Sequence, residues 1–525
     1  MVMLAYGTVS QEVLSLQAPS PGPLTVSSAW PAAAFLVPFV AGAVVLLAWR
    51  GPRWFWQATS VLASAVTFVA GLWLTAATVG GAVVTGWGNE LRVDTLSALL
   101  VVVIGGVGFM ACLYSLRYVL RPELLARVGL EVVQRRLRVF YNLLLWFLAT
   151  MVWGCVTNNI IMLWVAVEAT TLASGLLVAF YWDRRALEAG YKYLMLLTIG
   201  ITFALFGCVL LYAQAAATGE LAGGQALHIS ELRQVAHLFP AATALLTVAL
   251  LVIGFGTKAG IAPFHPWLPD AHAEAPTPIS VLLSGVMIKM AIYALARTTS
   301  VFFPSWPQLT VFAVALGSFT MVLGIVVALT QDDLKRLLAY SSVSQIGYVV
   351  VGIGLGTYLG CFGGLFHLIN HAVAKGLLFM CAGAVVYATG ARRMSDLGGL
   401  ASKMPLTGIC FVVGALTIAG LPPLSGFMSK LTIYLALARA GLWWAAAIAV
   451  FASLLTLAVL VRAATVVFWG APRTVAATVE AREVPLAMWG PMVVLAAVSL
   501  LLGLYPHVVF PLVDGAAQVL VLIGR

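Results

Sequence analysis

Long apolar runs, separated by short polar segments, repeat along the whole chain. A helix crosses a bilayer with about 20 apolar residues. By that measure spans run over residues 30–49, 56–79, 96–116, 139–156, 159–181 and 189–214. A seventh starts near residue 241 and is interrupted. Further spans cover 278–296, 308–330, 337–354 and 359–388, an interrupted one covers 407–437, and the last two cover 443–469 and 486–504. The expected fold is an all-α integral membrane protein of about 14 transmembrane helices. A polar stretch separates the second and third spans at 80–94. The residues after the third span, with Arg121, Arg127, Arg135, Arg136, Arg138, Glu123 and Glu131, read as a basic amphipathic segment lying at the membrane interface. The tail at 507–525 is apolar but short, a partial span or an interfacial helix.

Two spans are broken by proline and glycine. One carries Gly256-Thr-Lys-Ala-Gly-Ile-Ala-Pro263-Phe-His-Pro266-Trp-Leu-Pro269, the other Gly420-Leu-Pro422-Pro423-Leu-Ser-Gly426. Proline removes a backbone donor and clashes with the preceding turn. In lipid the freed carbonyls must be met by protein or water. The breaks lie five spans apart, each with a lysine nearby, which suggests two structural repeats. An odd number of spans per repeat makes them inverted. Broken helices at matching positions point to a translocation site; kinks that serve packing alone are the structural alternative.

Composition sharpens this picture. Of 525 residues 62% are hydrophobic and only 9% charged, against about 25% charged in soluble domains; lipid is the solvent that suits such a chain. The net charge of +10 comes from short loops rather than a nucleic-acid surface, and no nucleic-acid partner is expected. With the N-terminus outside, 18 lysines and arginines fall on the cytoplasmic side, among them Arg50, Arg53, Arg184, Arg185, Lys192, Arg392 and Arg473. Only five (Arg92, Arg233, Arg297, Arg439 and Arg525) fall outside. That asymmetry supports an outside N-terminus, and a multi-pass protein of a bacterial cytoplasmic (inner) membrane. Residues 1–28 lack a basic n-region and read as a tail rather than a signal peptide. The six cysteines (Cys112, Cys155, Cys208, Cys361, Cys381, Cys410) stand singly in apolar runs. They read as small core residues, so no cofactor or metal is expected on this chain, and electron chemistry would belong to another subunit.

Five basic residues remain inside the spans: Lys258, Lys289, Lys375, Lys430 and Arg462. A central lysine costs about 2.5 kcal/mol or more to insert. Arg462 lies near a span end and can snorkel; the lysines cannot. Glu168 is the one acidic residue deep in a span. Opposite a lysine it stays charged and holds the lysine's proton; when it withdraws, desolvation favours the proton's release. A static ion pair fixing helix register is the alternative. His367, His371 and Lys375 are spaced by four and lie on one helical stripe, where imidazoles can pass a proton along. No third ligand accompanies the histidines, which argues against a metal. Ser341, Ser342, Ser344 and Tyr348 can hold relay waters or simply pack helices. His265, His272, Asp270 and Glu274 fall in the segment after the first break, near the cytoplasmic mouth, where they either tune proton entry or are only loop residues. Asp332, Asp333, Lys335 and Arg336 read as an ordinary charged cap.

The run from Lys258 through Pro-Phe-His-Pro-Trp-Leu-Pro-Asp-Ala-His-Ala-Glu-Ala-Pro-Thr-Pro resembles the signature of the antiporter-like subunits of respiratory complex I. That family includes cation/proton antiporter and membrane-bound hydrogenase subunits. The segments Asp333-Leu-Lys-Arg-Leu-Leu-Ala-Tyr-Ser-Ser-Val-Ser-Gln-Ile-Gly-Tyr, Phe366-His-Leu-Ile-Asn-His-Ala-Val-Ala-Lys375 and Gly420-Leu-Pro-Pro-Leu-Ser-Gly-Phe-Met-Ser-Lys430 carry the same likeness. The resemblance implies fourteen core helices with inverted repeats at spans four to eight and nine to thirteen. It divides the chain into 1–138, repeats at 139–298 and 299–470, and a C-terminal part at 471–525. It further implies that Glu168 and Lys258 form a regulatory pair, Lys289 a connecting lysine, His367, His371 and Lys375 a central relay, and Lys430 an exit residue. Within the family, Trp164-Val-Ala-Val-Glu168-Ala-Thr-Thr-Leu-Ala-Ser is similar to the F-type subunit of hydrogenase-4 complexes. Lys430 stands where one complex I subtype has glutamate, and no long lateral helix follows span fourteen.

The expected function is proton translocation within a larger complex, with no active site of its own. Redox subunits are the expected partners. The alternative is a cation/proton antiporter subunit, or the proton-driven membrane half of an inorganic-carbon uptake system with a zinc-bearing soluble partner.

Overall fold

A computed structural model of the chain describes residues 24–119, 130–221, 223–472 and 481–523. Most of the expected N-terminal tail lies outside these residues, as do Arg121, Glu123 and Arg127 of the interfacial segment, and Arg473 and Arg525 of the charge count.

Among the described residues thirteen helices are long and apolar enough to cross a membrane. In chain order the first six are α1 (Trp30–Leu47), α2 (Arg53–Thr78), α3 (Thr95–Tyr118), α4 (Leu130–Val156), α5 (Ile160–Val178) and α6 (Arg184–Ala217). The first broken span follows as α7 (Ala241–Ala259) and the short α8 (Trp267–Glu274). Next come α9 (Thr277–Phe302), α10 (Gln308–Leu329), α11 (Leu334–Gly354) and α12 (Tyr358–Thr389). The second broken span forms two fifteen-residue helices, α13 (Pro405–Ala419) and α14 (Ser425–Arg439). Neither half is long enough to cross alone, which reconciles thirteen long helices with fourteen expected spans. α15 (Trp443–Trp469) and α16 (Leu486–Leu504) complete the bundle, and the C-terminal tail forms α17 (Phe510–Ile523).

Two local expectations change. Arg135, Arg136 and Arg138 do not belong to a separate interfacial segment. They occupy the first turns of α4, which starts at Leu130 rather than at residue 139, and Arg136 reaches the Tyr181 carbonyl at 3.3 Å. The polar stretch at 80–94 is not featureless: β2 (Val83–Gly86) pairs parallel with β1 (Thr25–Ser27) and antiparallel with β3 (Leu91–Val93). This small sheet caps one end of the bundle, the sheet face. At the opposite end, the arginine face, a cavity of about 790 Å³ is lined by charged residues including Arg185, Glu274, Asp333, Arg336, Arg392 and Arg393.

Burial is uneven, and the unevenness positions the site. α9, α11 and α12 are enclosed almost throughout, whereas α1, α2, α6, α15 and α16 bury less than half of their apolar stretch. A helix that is apolar all round belongs either in a core or against lipid, and both kinds occur here. Lys289, His367, His371 and Lys375 sit on the enclosed ones.

Both breaks use the same backbone device. α7 ends at Gly260 with φ +74° and α13 at Gly420 with φ +82°, a left-handed conformation that glycine adopts without steric cost. In each, the next amide reaches back five residues: Ile261 N–H to Gly256 O at 2.9 Å and Leu421 N–H to Leu416 O at 3.1 Å. These are Schellman caps, which use up carbonyls that the helix end leaves open.

Candidate functional site

The four lysines are all buried, with at most 2% of each exposed. A buried ammonium has to be met by acceptors, and each finds them by a different local device.

Lys258 lies in the last turn of α7, just before Gly260. Its Nζ donates to Thr171 Oγ1 at 2.7 Å, and Thr171 donates to Glu168 Oε2 at 3.2 Å. Glu168 is half-buried, and its other oxygen accepts from exposed Thr198 at 3.2 Å. The expected pair is therefore bridged: the hydroxyl of Thr171 stands between ammonium and carboxylate, and the two make no direct ion pair. The ring of Tyr193 lies 5.9 Å from Lys258 Nζ. Its hydroxyl contacts Ser174 Oγ at 2.6 Å and Met287 Sδ at 3.3 Å.

Lys289 follows a π-helical turn, Leu283–Met287. Such a turn shifts the backbone bonding by one residue and is frequent at functional sites. Lys289 donates to the Ser284 carbonyl within it. Ser284 Oγ meets Ser342 Oγ at 2.8 Å, and Ser342 donates to Leu338 O at 2.8 Å. The same carbonyl accepts from Lys375 Nζ at 2.8 Å, and Lys375 also reaches Ser341 Oγ at 2.5 Å. Lys289 and Lys375 thus meet through three residues, Ser284, Ser342 and Leu338, at the α9–α11–α12 contact.

From Lys375 the stripe on α12 runs as its spacing requires. The rings of His371 and His367 are 6.4 Å apart. Neither nitrogen of buried His371 has a protein partner. His367 is held on both sides, Nδ1 to Ser429 Oγ at 3.1 Å and Nε2 to Gln345 Oε1 at 3.2 Å. Tyr348 lies 5.4 Å from the His367 ring, and Lys430 Nζ lies 4.7 Å above the Tyr348 ring. Lys430 donates to Ser453 Oγ at 2.9 Å and to Ala419 O at 3.3 Å. Ala419 is the last helical residue before the second break, so the lysine occupies a carbonyl at the helix end.

The remaining candidates divide. Arg462 is exposed and donates to Leu329 O at 2.6 Å, as a snorkelling residue should. His272 is not a loop residue: it is 0% exposed, its ring stacks on Phe379 at 4.7 Å and neither nitrogen has a protein partner. His265 is half-buried. Asp270 pairs with Arg336 at 2.8 Å and Glu274 with Arg392 at 3.2 Å. Asp333 caps α11 as a charged loop residue should, but Lys335 is 3% exposed and donates to Ala275 O at 2.8 Å. Sequence reasoning missed Thr171, Gln345, Ser429 and Ser453. Uncharged hydroxyl and amide side chains are frequent in membrane helices, and only a neighbour's position distinguishes these.

A bundle of apolar helices, two of them broken, around a set of buried basic groups defines an antiporter-like membrane subunit. Comparison with known proteins agrees. Residues 157–456 match the family described as NADH:quinone oxidoreductase/Mrp antiporter, transmembrane, and residues 88–123 match the complex I chain 5 N-terminal family. The chain belongs to this NADH:quinone oxidoreductase/Mrp antiporter family. It is 37% identical to NADH-quinone oxidoreductase subunit N of Desulforudis audaxviator, over 70% of this chain and 71% of that protein. It is 34% identical to a hydrogenase-4 component F homolog of Methylacidiphilum infernorum, over 66% and 72%, a relative of the type that the Trp164–Ser174 stretch resembles. A chain of the Mrp complex from Dietzia superposes with a TM-score of 0.82 at 24% identity, over 94% of this chain and 98% of that one, which establishes the shared fold.

Proposed function

We propose that the chain translocates protons as one subunit of a multi-subunit membrane complex. The observation that carries this reading is the row itself. From Glu168 through Thr171, Lys258, Lys289, Lys375, His371, His367 and Lys430, every ionisable member touches either a hydroxyl, a carbonyl or a neighbouring ring of the row. Proton relays are the use to which membrane proteins put such costly groups. Lys258 and the Glu168 carboxylate communicate through a rotatable hydroxyl. Glu168 sits at the perimeter beside exposed Thr198, where an adjoining subunit can pull the carboxylate away. Release at Lys258 then sends charge toward Lys289 and across to Lys375. Water completes the link at His371, because buried ring nitrogens of this kind are met by ordered water when no protein group serves. Lys430, held by neutral dipoles alone, is the exit residue. The two halves, 139–298 and 299–470, are the inverted repeats that the matching breaks suggest. The lysine and arginine distribution supports an arginine face in the cytoplasm and an outside N-terminus, and on this reading the membrane is a bacterial inner membrane.

Gentle purification in native detergent, with mass spectrometry and metal analysis, tests the assignment. Nickel and iron–sulfur subunits in stoichiometric amounts would place the chain in a redox-driven pump. A zinc protein alone, or other antiporter-like subunits without redox metals, would instead make it part of a transporter driven by an existing gradient. A chain that purifies alone and moves no protons would overturn both.

A further inference from the structure

A second polar feature lies on the sheet face, outside the row. A cavity of about 620 Å³ opens there, with Arg92, Asp94, Asn158, Arg233, Tyr293 and Arg297 in its lining. At its floor Arg297 and Asp94 form an ion pair whose side chains are 9% and 13% exposed. Asp94 is the N-cap of α3 and accepts the Ser97 amide at 3.0 Å. Burial by itself raises the Asp94 carboxyl. Arg297 beside it and the Ser97 amide outweigh that effect and hold it below the usual carboxylate range. Both members are charged at neutral pH, since a guanidinium does not deprotonate in proteins.

The pair stands close to the row. Lys289, Tyr293 and Arg297 are spaced by four on α9 and share one stripe, so Arg297 lies about 12 Å along the axis from Lys289. Because Tyr293 also lines the cavity, the cavity reaches to one helical turn from the connecting lysine. An open path there would let Lys289 exchange protons with the sheet face directly and short-circuit any relay.

The hydrogen bonds across that turn run one way. Tyr293 gives its single hydroxyl proton to Cys155 O at 2.9 Å. In its contact with Ser97 Oγ, at 2.9 Å, Tyr293 must therefore accept, and Ser97 donates. Ser97 Oγ in turn accepts from Arg297 Nη2 at 3.0 Å. The chain starts at a guanidinium that cannot release a proton and ends at a backbone carbonyl that cannot pass one on. The guanidinium carbon also lies 5.1 Å from the Tyr293 ring, so a fixed positive charge sits against the inner side of the cavity floor. Arginines placed in this way exclude protons and cations from other membrane pathways.

We propose that Asp94, Arg297, Ser97 and Tyr293 form a proton-tight seal that isolates Lys289 from the sheet-face cavity. The proposal rests on the reading of Lys289 as a relay residue.

The test is passive leak. The full-length chain, purified with whatever partners accompany it, is reconstituted into liposomes. A pH gradient is imposed with no driving reaction, and its decay is followed with a lumenal pH dye. Asp94→Asn with Arg297→Gln removes both charges together and so avoids stranding one in a buried site. The double variant is expected to accelerate decay on the order of tenfold, the weight of the charged hydrogen bond from Arg297 to Ser97 that holds the chain in place. Adding Lys289→Met should restore the slow decay. Unchanged decay in a folded double variant would overturn the seal, and so would a leak that survives Lys289→Met. If the double variant does not fold, Ser97→Ala interrupts the chain with the loss of one oxygen. It should leak severalfold, and a tight Ser97→Ala counts against the proposal. Because no driving reaction is used, this outcome is independent of whether coupled transport depends on Lys258.

Discussion

The two broken helices share a backbone and differ in what they hold. At each, a left-handed glycine closes a Schellman cap, Gly260 in the first and Gly420 in the second. At the first break Lys258 precedes the glycine and looks outward, through Thr171, to a carboxylate at the perimeter. At the second, Lys430 follows the glycine and turns back onto the carbonyl of Ala419, with Ser453 and the Tyr348 ring as its other neighbours. One lysine has a countercharge within reach of a hydroxyl's rotation; the other has only neutral dipoles. Identical backbone breaks can therefore serve different steps. A lysine tied to a movable carboxylate suits a gate that partner subunits control. A lysine without one has less to hold its proton, which suits release.

That contrast can be broken at four residues. The largest effect is expected at Lys258→Ala, which should abolish coupled proton transport while leaving the complex assembled, as read by lumenal acidification beside native gel mobility. Thr171→Val keeps the shape of the bridge and removes its hydroxyl. Transport should fall on the order of tenfold, the weight of one hydrogen bond to a charged group. Glu168→Gln should add little to it, because both changes cut the same link; additive losses measured in the double variant would mean that carboxylate and lysine communicate by another route. Ser453→Ala should cost less, roughly fivefold, since Lys430 keeps the Ala419 carbonyl and a hydrogen bond with a remaining alternative is worth about 1 kcal/mol. Equal losses at Thr171 and Ser453 would erase the distinction between the two breaks.

The spans and most of the row were legible in the sequence because membrane helices announce themselves by length, and an ionisable residue inside one stands out by its insertion cost. The four-residue spacing of His367, His371 and Lys375 likewise placed them on one stripe before any coordinates. What stayed hidden depends on partners far apart in the chain. Thr171 looks like any threonine in a membrane helix until Lys258, 87 residues away, is placed against it. The π-helical turn before Lys289 has no sequence signature, yet it turns the Ser284 carbonyl toward the lysine. Asp94 closes the polar stretch at 80–94 and Arg297 enters only the charge count, yet the two, 203 residues apart, form a largely buried pair. His272 falls in a polar motif that reads either as a proton-entry residue or as plain loop, whereas the fold places it in α8 and encloses it completely. The three-stranded sheet has no signal in the sequence because its strands are three or four residues long and two spans separate β1 from β2.

Lys375 is where the account is most exposed, because it joins the first half of the row to the second through the Leu338 carbonyl. Proton translocation by the reconstituted complex carrying Lys375→Ala, measured as lumenal acidification under its native driving reaction, tests the continuous row directly. The account predicts that translocation is lost while subunit composition is unchanged. Translocation at the wild-type rate would contradict it, since the two halves would then move protons without the residue that connects them.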